Sequence, residues 1–377
     1  SFIDKVLPAG FLEMLGNVLS PLSGTTLSLV AMFLAFLMGY NYAKTEEQKC
    51  EEVYAGITTL VAFLIVSPLS ITVGEEVIGG VIPTTYMGSQ GMFVALILCY
   101  LVAKVYCKIL SSKLKIKLPD SVPPMVSSSF ESLIPVIITL VLVCSINYCF
   151  TLTSFGNIHA LVNEIIQKPL LLIGTGLPAL LISQGLAQLL WFFGLHGDQI
   201  VGSVMDPILQ TAGMENLSAY TAGDAVPYII TDQFRALFVM IAFMSLVIAI
   251  LIVSKSNRLK GVGKVAVLPA TFCISEPVVF GAPVVMNAML FIPWVLSRPV
   301  FGLITWLFMK FGLCPYPTGV AIPWTTPPVL SGFLATNSIM GTVVQIICLA
   351  IGVLMFIPFV KMIDKTYHQE EIKTKEQ

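Results

Sequence analysis

"CPYPTGVAIPWTTPPVLSG", residues 314–332, lies within a longer run, residues 311–360, that carries no charged side chain. A membrane-crossing helix uses about 20 apolar residues, so this run is too long for one crossing, yet no charged connection divides it in two. Pro315, Pro317, Pro323, Pro327 and Pro328 also forbid a continuous helix, because each lacks an N–H and clashes with the preceding turn. Backbone groups freed in this way survive at membrane depth only where protein or a water-filled cavity solvates them. The chain is therefore expected to enter the bilayer and turn back. "ISEPVVFGAP", residues 274–283, has the same make-up inside residues 265–309, where Glu276 and Arg298 are the only charges. Re-entrant hairpins near 265–283 and 314–335 are the expectation, and discontinuous segments of this kind point to a transporter's binding site.

The rest of the chain agrees with a membrane setting. It is 56% hydrophobic and 11% charged, against roughly 25% charged in an ordinary soluble domain, and its mean hydropathy is +0.90. Charge-free windows at 25–43, 54–74, 77–103, 132–152, 169–192 and 236–254 read as further crossings. None has the short apolar core and small-residue cleavage site of a signal peptide. The chain begins at Ser1, which leaves room for a preceding segment. Lysines and arginines gather at Lys44 and Lys49, Lys104–Lys117, Lys255–Lys264 and Lys361–Lys375, and the positive-inside rule places those segments in the cytoplasm. The connections 74–90 and most of 197–234 hold no basic residue and carry Glu75, Glu76, Asp206, Glu215 and Asp224, which reads as extracytoplasmic or buried in protein. A net charge of -1 gives no electrostatic case for nucleic acid. The eight cysteines are scattered through apolar runs without a C-x-x-C pair and read as core residues.

Two ionisable residues stand out against this background. Glu276 is the only acid between Lys264 and Asp364 and falls at the tip of an expected hairpin; an ionisable group at that depth is a functional candidate by default. In "QLLWFFGLHGDQ", residues 188–199, His196 ends a bulky apolar run in a chain with three histidines. A carboxylate and an imidazole facing one cavity can grip and activate a hydroxyl. Trp191 and Trp324 sit beside polar neighbours and suit the C–H faces of a sugar ring. Asn287, Thr325, Thr326, Gln184, Gln188 and Asp198 are candidates to bind its hydroxyls, while Trp294 and Trp306 read as core. Arg298 or Lys310 is a candidate partner for Glu276 or for a phosphorylated product, with Lys310 equally able to snorkel to the surface. "NIHALVNEIIQKP", residues 157–169, shows a one-sided helical stripe and reads as a helix lying along the interface, with His159 on it. No P-loop and no H-E-x-x-H motif occurs, so neither P-loop ATP hydrolysis nor a catalytic zinc is expected.

"YMGSQGMFVA" (86–95), "SVPPMVSSSFESLIP" (121–135), "LLWFFGLHG" (189–197), "SEPVVFGAPVVMN" (275–287) and "IPWTTPPVLSGFLAT" (322–336) occur in this order along the chain. Together they resemble the membrane subunit, enzyme IIC, of the lactose/cellobiose/diacetylchitobiose branch of the bacterial phosphoenolpyruvate-dependent sugar phosphotransferase system. The resemblance implies an all-α polytopic membrane protein with about ten spanning helices and two re-entrant hairpins, homodimeric, in the bacterial cell membrane with a cytoplasmic C-terminus. It implies N-terminal dimerisation and scaffold helices over 1–155, an interfacial linker helix over 156–169, a sugar-binding transport domain over 170–365 and a cytoplasmic tail over 366–377. The cargo it implies is a disaccharide, with N,N'-diacetylchitobiose favoured over cellobiose or lactose types. The partners are a cytoplasmic enzyme IIB, with enzyme IIA upstream of it, and membrane lipid. IIB passes phosphate from its cysteine to the sugar 6-hydroxyl, and no cofactor or metal is implied. By the same likeness His196 and Glu276 lie next to that hydroxyl, and Trp191 and Trp324 stack on the sugar. Ser275 stands where the family often has Asn before the Glu-Pro pair, and a first spanning helix between "FIDKVLPAG" and residue 25 is not evident. The alternative reading is a proton-coupled sugar symporter in which Glu276 and His196 relay a proton. An intramembrane hydrolase lacks any nucleophile elbow, paired aspartates or metal signature.

Overall fold

A computed structural model describes Met14, Val18, Pro21 and residues 25–45, 51–73, 76–119, 121–282 and 284–376. The "FIDKVLPAG" segment, Lys49, Cys50 and Glu75 lie outside the described residues. The chain divides into two compact units, Ser1–Pro169 and Leu170–Gln377.

In the first unit the helices Val30–Thr45, Glu52–Val66, Met92–Leu110 and Pro124–Thr151 pack on one another. The apolar window at 54–74 is not one helix. Ser67 precedes Pro68 and adopts φ -86 and ψ 143, the extended backbone that a following proline favours, so the helix stops at Val66. The β-branched residues beyond it form an antiparallel pair, Ser70–Val73 with Glu76–Gly79, in the register Val73 opposite Glu76 and Ser70 opposite Gly79. That pair corrects the expectation of helix alone, and it shortens the next window too, since its helix begins only at Met92. At the end of this unit Asn157 caps Ile158–Val162 by accepting the Ala160 N–H at 2.8 Å, and a π-helical turn, Asn163–Gln167, follows. Ile158, His159, Val162 and Gln167 are buried on this segment. His159 is packed in protein: its Nε2 is 2.9 Å from the Ser67 hydroxyl and its ring stacks on Tyr86.

The second unit holds two aromatic and aliphatic cores, one around Phe243, Trp294 and Phe356, the other around Phe234, Phe238 and Phe301. Pro178 starts the helix Leu177–Phe192 in its first turn, where a missing N–H costs nothing. The long helix Ile339–Glu376 runs on through the tail, where Asp364 accepts from the Lys255 and Ser256 backbone N–H groups and Glu371 from those of Asn257 and Arg258. The helix Asn257–Thr271 is thereby held at its N-terminus, where acceptors complement the dipole.

Backbone is irregular where proline and glycine are dense. After Thr271 the chain turns through Cys273, at φ 62, into the six-residue helix Glu276–Gly281, then through Met286, at φ 55, into Ala288–Lys310. Residues 311–329 form no helix before the short Leu330–Thr336. This stretch is held by Gln345 from the last helix, whose Oε1 accepts from Val329 N–H at 2.6 Å and Gly332 N–H at 3.0 Å, and whose Nε2 donates to Leu237 O and Ser331 Oγ. Val329 at φ 79 is a strained position for a β-branched residue. Among the described residues five helices are long and apolar enough to cross a membrane, or six if Ile158–Gly174 and Leu177–Phe192 count as one broken span. That is fewer than the expected ten, because several apolar windows are divided by turns.

Candidate functional site

The helix Leu177–Phe192 ends in a tight reversal. Gly194 takes φ +81, a left-handed conformation open to glycine, and the Leu195 N–H reaches back to Leu190 O at 3.0 Å. Gly197 then passes so close to Ala187 O that a Cβ there would lie 2.0 Å from it. His196, between these glycines, is the N-cap of the next helix, Gly197–Ala222, and its Nδ1 accepts the Gln199 N–H at 3.3 Å. An accepting Nδ1 leaves the hydrogen of the neutral ring on Nε2. The ring leans on Trp191 with centroids 4.4 Å apart. A polar cap at a turn, with its ring exposed, is what an imidazole after an apolar helix does here.

Trp191 is only 3% exposed, and its indole N–H donates to Asp198 Oδ2 at 2.9 Å. Asp198 also receives both terminal nitrogens of Arg298, with Nη2 at 3.0 Å. Burial alone would raise the Asp198 carboxyl, but the charge and hydrogen bonds of Arg298, with the Trp191 N–H, outweigh it and lower the group to about 2. Of the two candidate partners for Glu276 or a phosphorylated product, Arg298 is instead paired with Asp198. Lys310 is exposed in the last turn of its helix.

Trp191, His196, Asp198, Ser275, Glu276 and Trp324 all line one cavity of about 580 Å³. Glu276 is exposed at the start of its short helix, and Trp324 is 55% exposed, so both are free to meet a solute. Five other polar candidates do not line it. Gln188 is fully buried, donating to Trp294 O at 3.1 Å and Ser297 Oγ at 3.2 Å. Asn287 caps its own helix through the Met289 N–H at 3.0 Å. Thr325 and Thr326 occupy the turn after Trp324, where the Thr326 N–H bonds Pro323 O. Gln184 is also buried away from it, with no partner for its amide among the described residues. Of the cysteines read as core, Cys273 lines the cavity, while Cys144 and Cys149 are exposed.

The cavity has further polar walls that the sequence reading did not pick out: Asp206, Gln210, Asp232, Gln233 and Arg235. Asp198, Gly202, Asp206 and Gln210 fall at intervals of four on one helix and so share a face. Arg235 is also the only basic residue between Lys168 and Lys255. Both signals are present in the sequence, where most of 197–234 reads as extracytoplasmic or buried in protein and Arg235 lies just beyond it. Among the described residues no three His, Cys, Asp or Glu side chains are grouped to hold a metal ion.

The cavity thus sets a carboxylate, an imidazole and an exposed indole around a space large enough for a small polar solute. Residues 3–297 match the family model described as "Phosphotransferase system, EIIC". The oligo-beta-mannoside-specific EIIC component of Bacillus subtilis (strain 168) is 40% identical over 370 residues, covering 97% of this chain and 83% of its own. A cellobiose-specific EIIC component from Geobacillus stearothermophilus is 36% identical over 361 residues, covering 92% and 80%. The crystal structure of the transporter ChbC, the IIC component from the N,N'-diacetylchitobiose-specific phosphotransferase system, superposes with a TM-score of 0.89 at 34% identity, covering 97% of this chain and 89% of that one.

Proposed function

Because the chain belongs to the phosphotransferase system EIIC family, we propose that it carries a β-linked disaccharide across the bacterial cell membrane and presents the sugar's 6-hydroxyl to a separate, cytoplasmic enzyme IIB charged by enzyme IIA. The observation that carries the reading is the one cavity that Glu276, His196 and Trp324 line together. Trp324 stacks on one ring and Glu276 accepts the hydroxyl's hydrogen bond. His196, with its Nε2 hydrogen, holds the hydroxyl oxygen or its neighbour. The 6-oxygen attacks phosphorus on the IIB cysteine, an O–P bond forms as the S–P bond breaks, the thiolate leaves, and the hydroxyl proton passes to Glu276. Little covalent work falls to the permease; it positions the acceptor in line and removes one proton. Cellobiose, oligo-β-mannoside and diacetylchitobiose types are the cargo that the relatives suggest. In this reading the N-terminal unit pairs two copies and the C-terminus is cytoplasmic, which the positive-inside rule supports through the basic clusters.

The test uses vesicles bearing the chain, phosphorylated IIB and labelled disaccharide. Glu276→Gln lowers the phosphorylation rate by about 10²–10⁴-fold while the protein stays folded and still binds sugar. An unchanged rate would refute the role. Internal product that is unmodified sugar, accumulated with protons, would favour a symporter instead.

A further inference from the structure

The helix Gly197–Ala222 carries the aspartates of two arginine–aspartate pairs along one face, and the pairs are not equally complete. At its start, Asp198 is gripped by both terminal nitrogens of Arg298 and by Trp191. Two turns on, about 12 Å further along the axis, Asp206 receives only Nη2 of Arg235. Arg235 is 9% exposed and lines the cavity, yet its Nε and Nη1 are buried without a partner among the described residues. Beside it Gln233 is 5% exposed; its Nε2 donates to Val320 O, while its Oε1 accepts from no described group. Buried donors and acceptors are almost always satisfied, and leaving them open is costly, so open groups of both kinds on one wall mark a place for a ligand.

The local architecture keeps that wall accessible. A Cβ at Gly202 would lie 2.7 Å from Asp206 Oδ2, and one at Gly213 would lie 2.3 Å from Asp232 Oδ1, so these glycines make room for the two carboxyls against the helix. Arg235 stands on a π-helical turn, Phe234–Val239, a departure from α-helix that recurs at functional sites. The charge balance selects the ligand. Asp198, Asp206, Asp232 and Glu276 face two guanidiniums, which disfavours an anion such as a sugar phosphate at this wall. Free donors on Arg235 need acceptors and Gln233 Oε1 needs a donor, while the Asp232 carboxylate on the same wall can accept further bonds; a hydroxyl is both donor and acceptor.

We infer that Arg235, with Asp206, Asp232 and Gln233, is a subsite for the hydroxyls of the second, non-reacting sugar ring. It rests on the reading above, in which the first ring lies by His196 and Glu276, and adds to it the basis of the preference for a disaccharide over a monosaccharide. A site built to hydrogen-bond hydroxyls rejects ligands that lack them more strongly than any apolar slot does.

The test is calorimetric binding to the purified chain, without IIB, of three pairs: cellobiose and glucose, mannobiose and mannose, diacetylchitobiose and N-acetylglucosamine, the weak members read by competition. In the wild type at least one disaccharide binds more tightly than its monosaccharide. In Arg235→Gln that disaccharide weakens by about 10- to 100-fold while the monosaccharide keeps its affinity. Both members falling together, or neither changing, overturns the subsite. Should Arg235→Gln not fold, Asp232→Asn, nearly the same shape, is read by the same ratio. Failure of the wild type to bind any of the six sugars strikes the proposed function; binding with an unaltered ratio in the variants strikes only the second-ring subsite.

Discussion

His159 in the N-terminal unit stacks on Tyr86 with ring centroids 4.5 Å apart, and His196 in the C-terminal unit leans on Trp191 at 4.4 Å. Beyond that shared contact the two diverge. His159 is fully buried between Tyr86, Phe63 and Ser67. His196 is exposed, caps a helix and faces the polar cavity. The cavities of the two units differ in the same way. The N-terminal one, about 340 Å³, is walled by aliphatic side chains, Phe150 and Thr139; the C-terminal one is walled by acids, amides, an arginine and indoles. A polar group in the first is there for packing, and its loss is felt in stability. Several polar groups in the second, on Gln233 and Arg235, lack partners among the described residues, and their loss is felt in what the protein binds.

The largest expected effect tests the one part of the polar site that is structural. Arg298→Met leaves Asp198 buried without its partner and costs roughly 3–5 kcal/mol in thermal unfolding of the detergent-solubilised chain. Arg298→Met combined with Asp198→Leu recovers most of that loss. If the single variant is as stable as the wild type, the pair does not anchor the site. Next come the histidines themselves. His159→Ala lowers stability by about 2–4 kcal/mol and leaves phosphorylation near normal per folded molecule. His196→Ala costs at most about 1 kcal/mol yet slows phosphorylation by about 10²-fold. The reverse pattern would erase the contrast. A smaller effect is expected at Trp324, where replacement by Ala weakens disaccharide affinity about tenfold, or ~1.4 kcal/mol, without moving the unfolding midpoint. Smallest is Thr139→Val. The Thr139 hydroxyl is buried with no described partner, so an isosteric methyl is neutral or stabilises by up to about 1 kcal/mol, and sugar affinity stays the same.

What could be read in advance followed from how costly exceptions are in an apolar chain. Proline-dense backbone had to be irregular, and it is irregular at 272–275 and 311–329. A lone carboxyl and a histidine beside indoles stood out, and Glu276, His196, Trp191, Trp324 and Ser275 share a cavity. What escaped was set by tertiary contact. Nothing local distinguishes Gln188, which bonds across to Trp294 and Ser297, from a glutamine aimed at a ligand. Asn287 reads as a binding group in the sequence because its capping role depends on where the next helix begins. The strand pair after Val66 was hidden inside an apolar window whose length alone suggested a crossing. Arg235 and Asp206 were readable as a solitary cation and a member of an every-fourth-residue stripe, but only their meeting makes them a site.

Gln345 ties down an irregular backbone from outside it. Irregular shape and looseness are separate properties, and the proline-rich arm ending at Gly332 has the first without the second. In deuterium exchange, the amides of Val329 and Gly332, both bonded to that one side chain, will take up label as slowly as those of a regular helix. Gln345→Leu will release the two together.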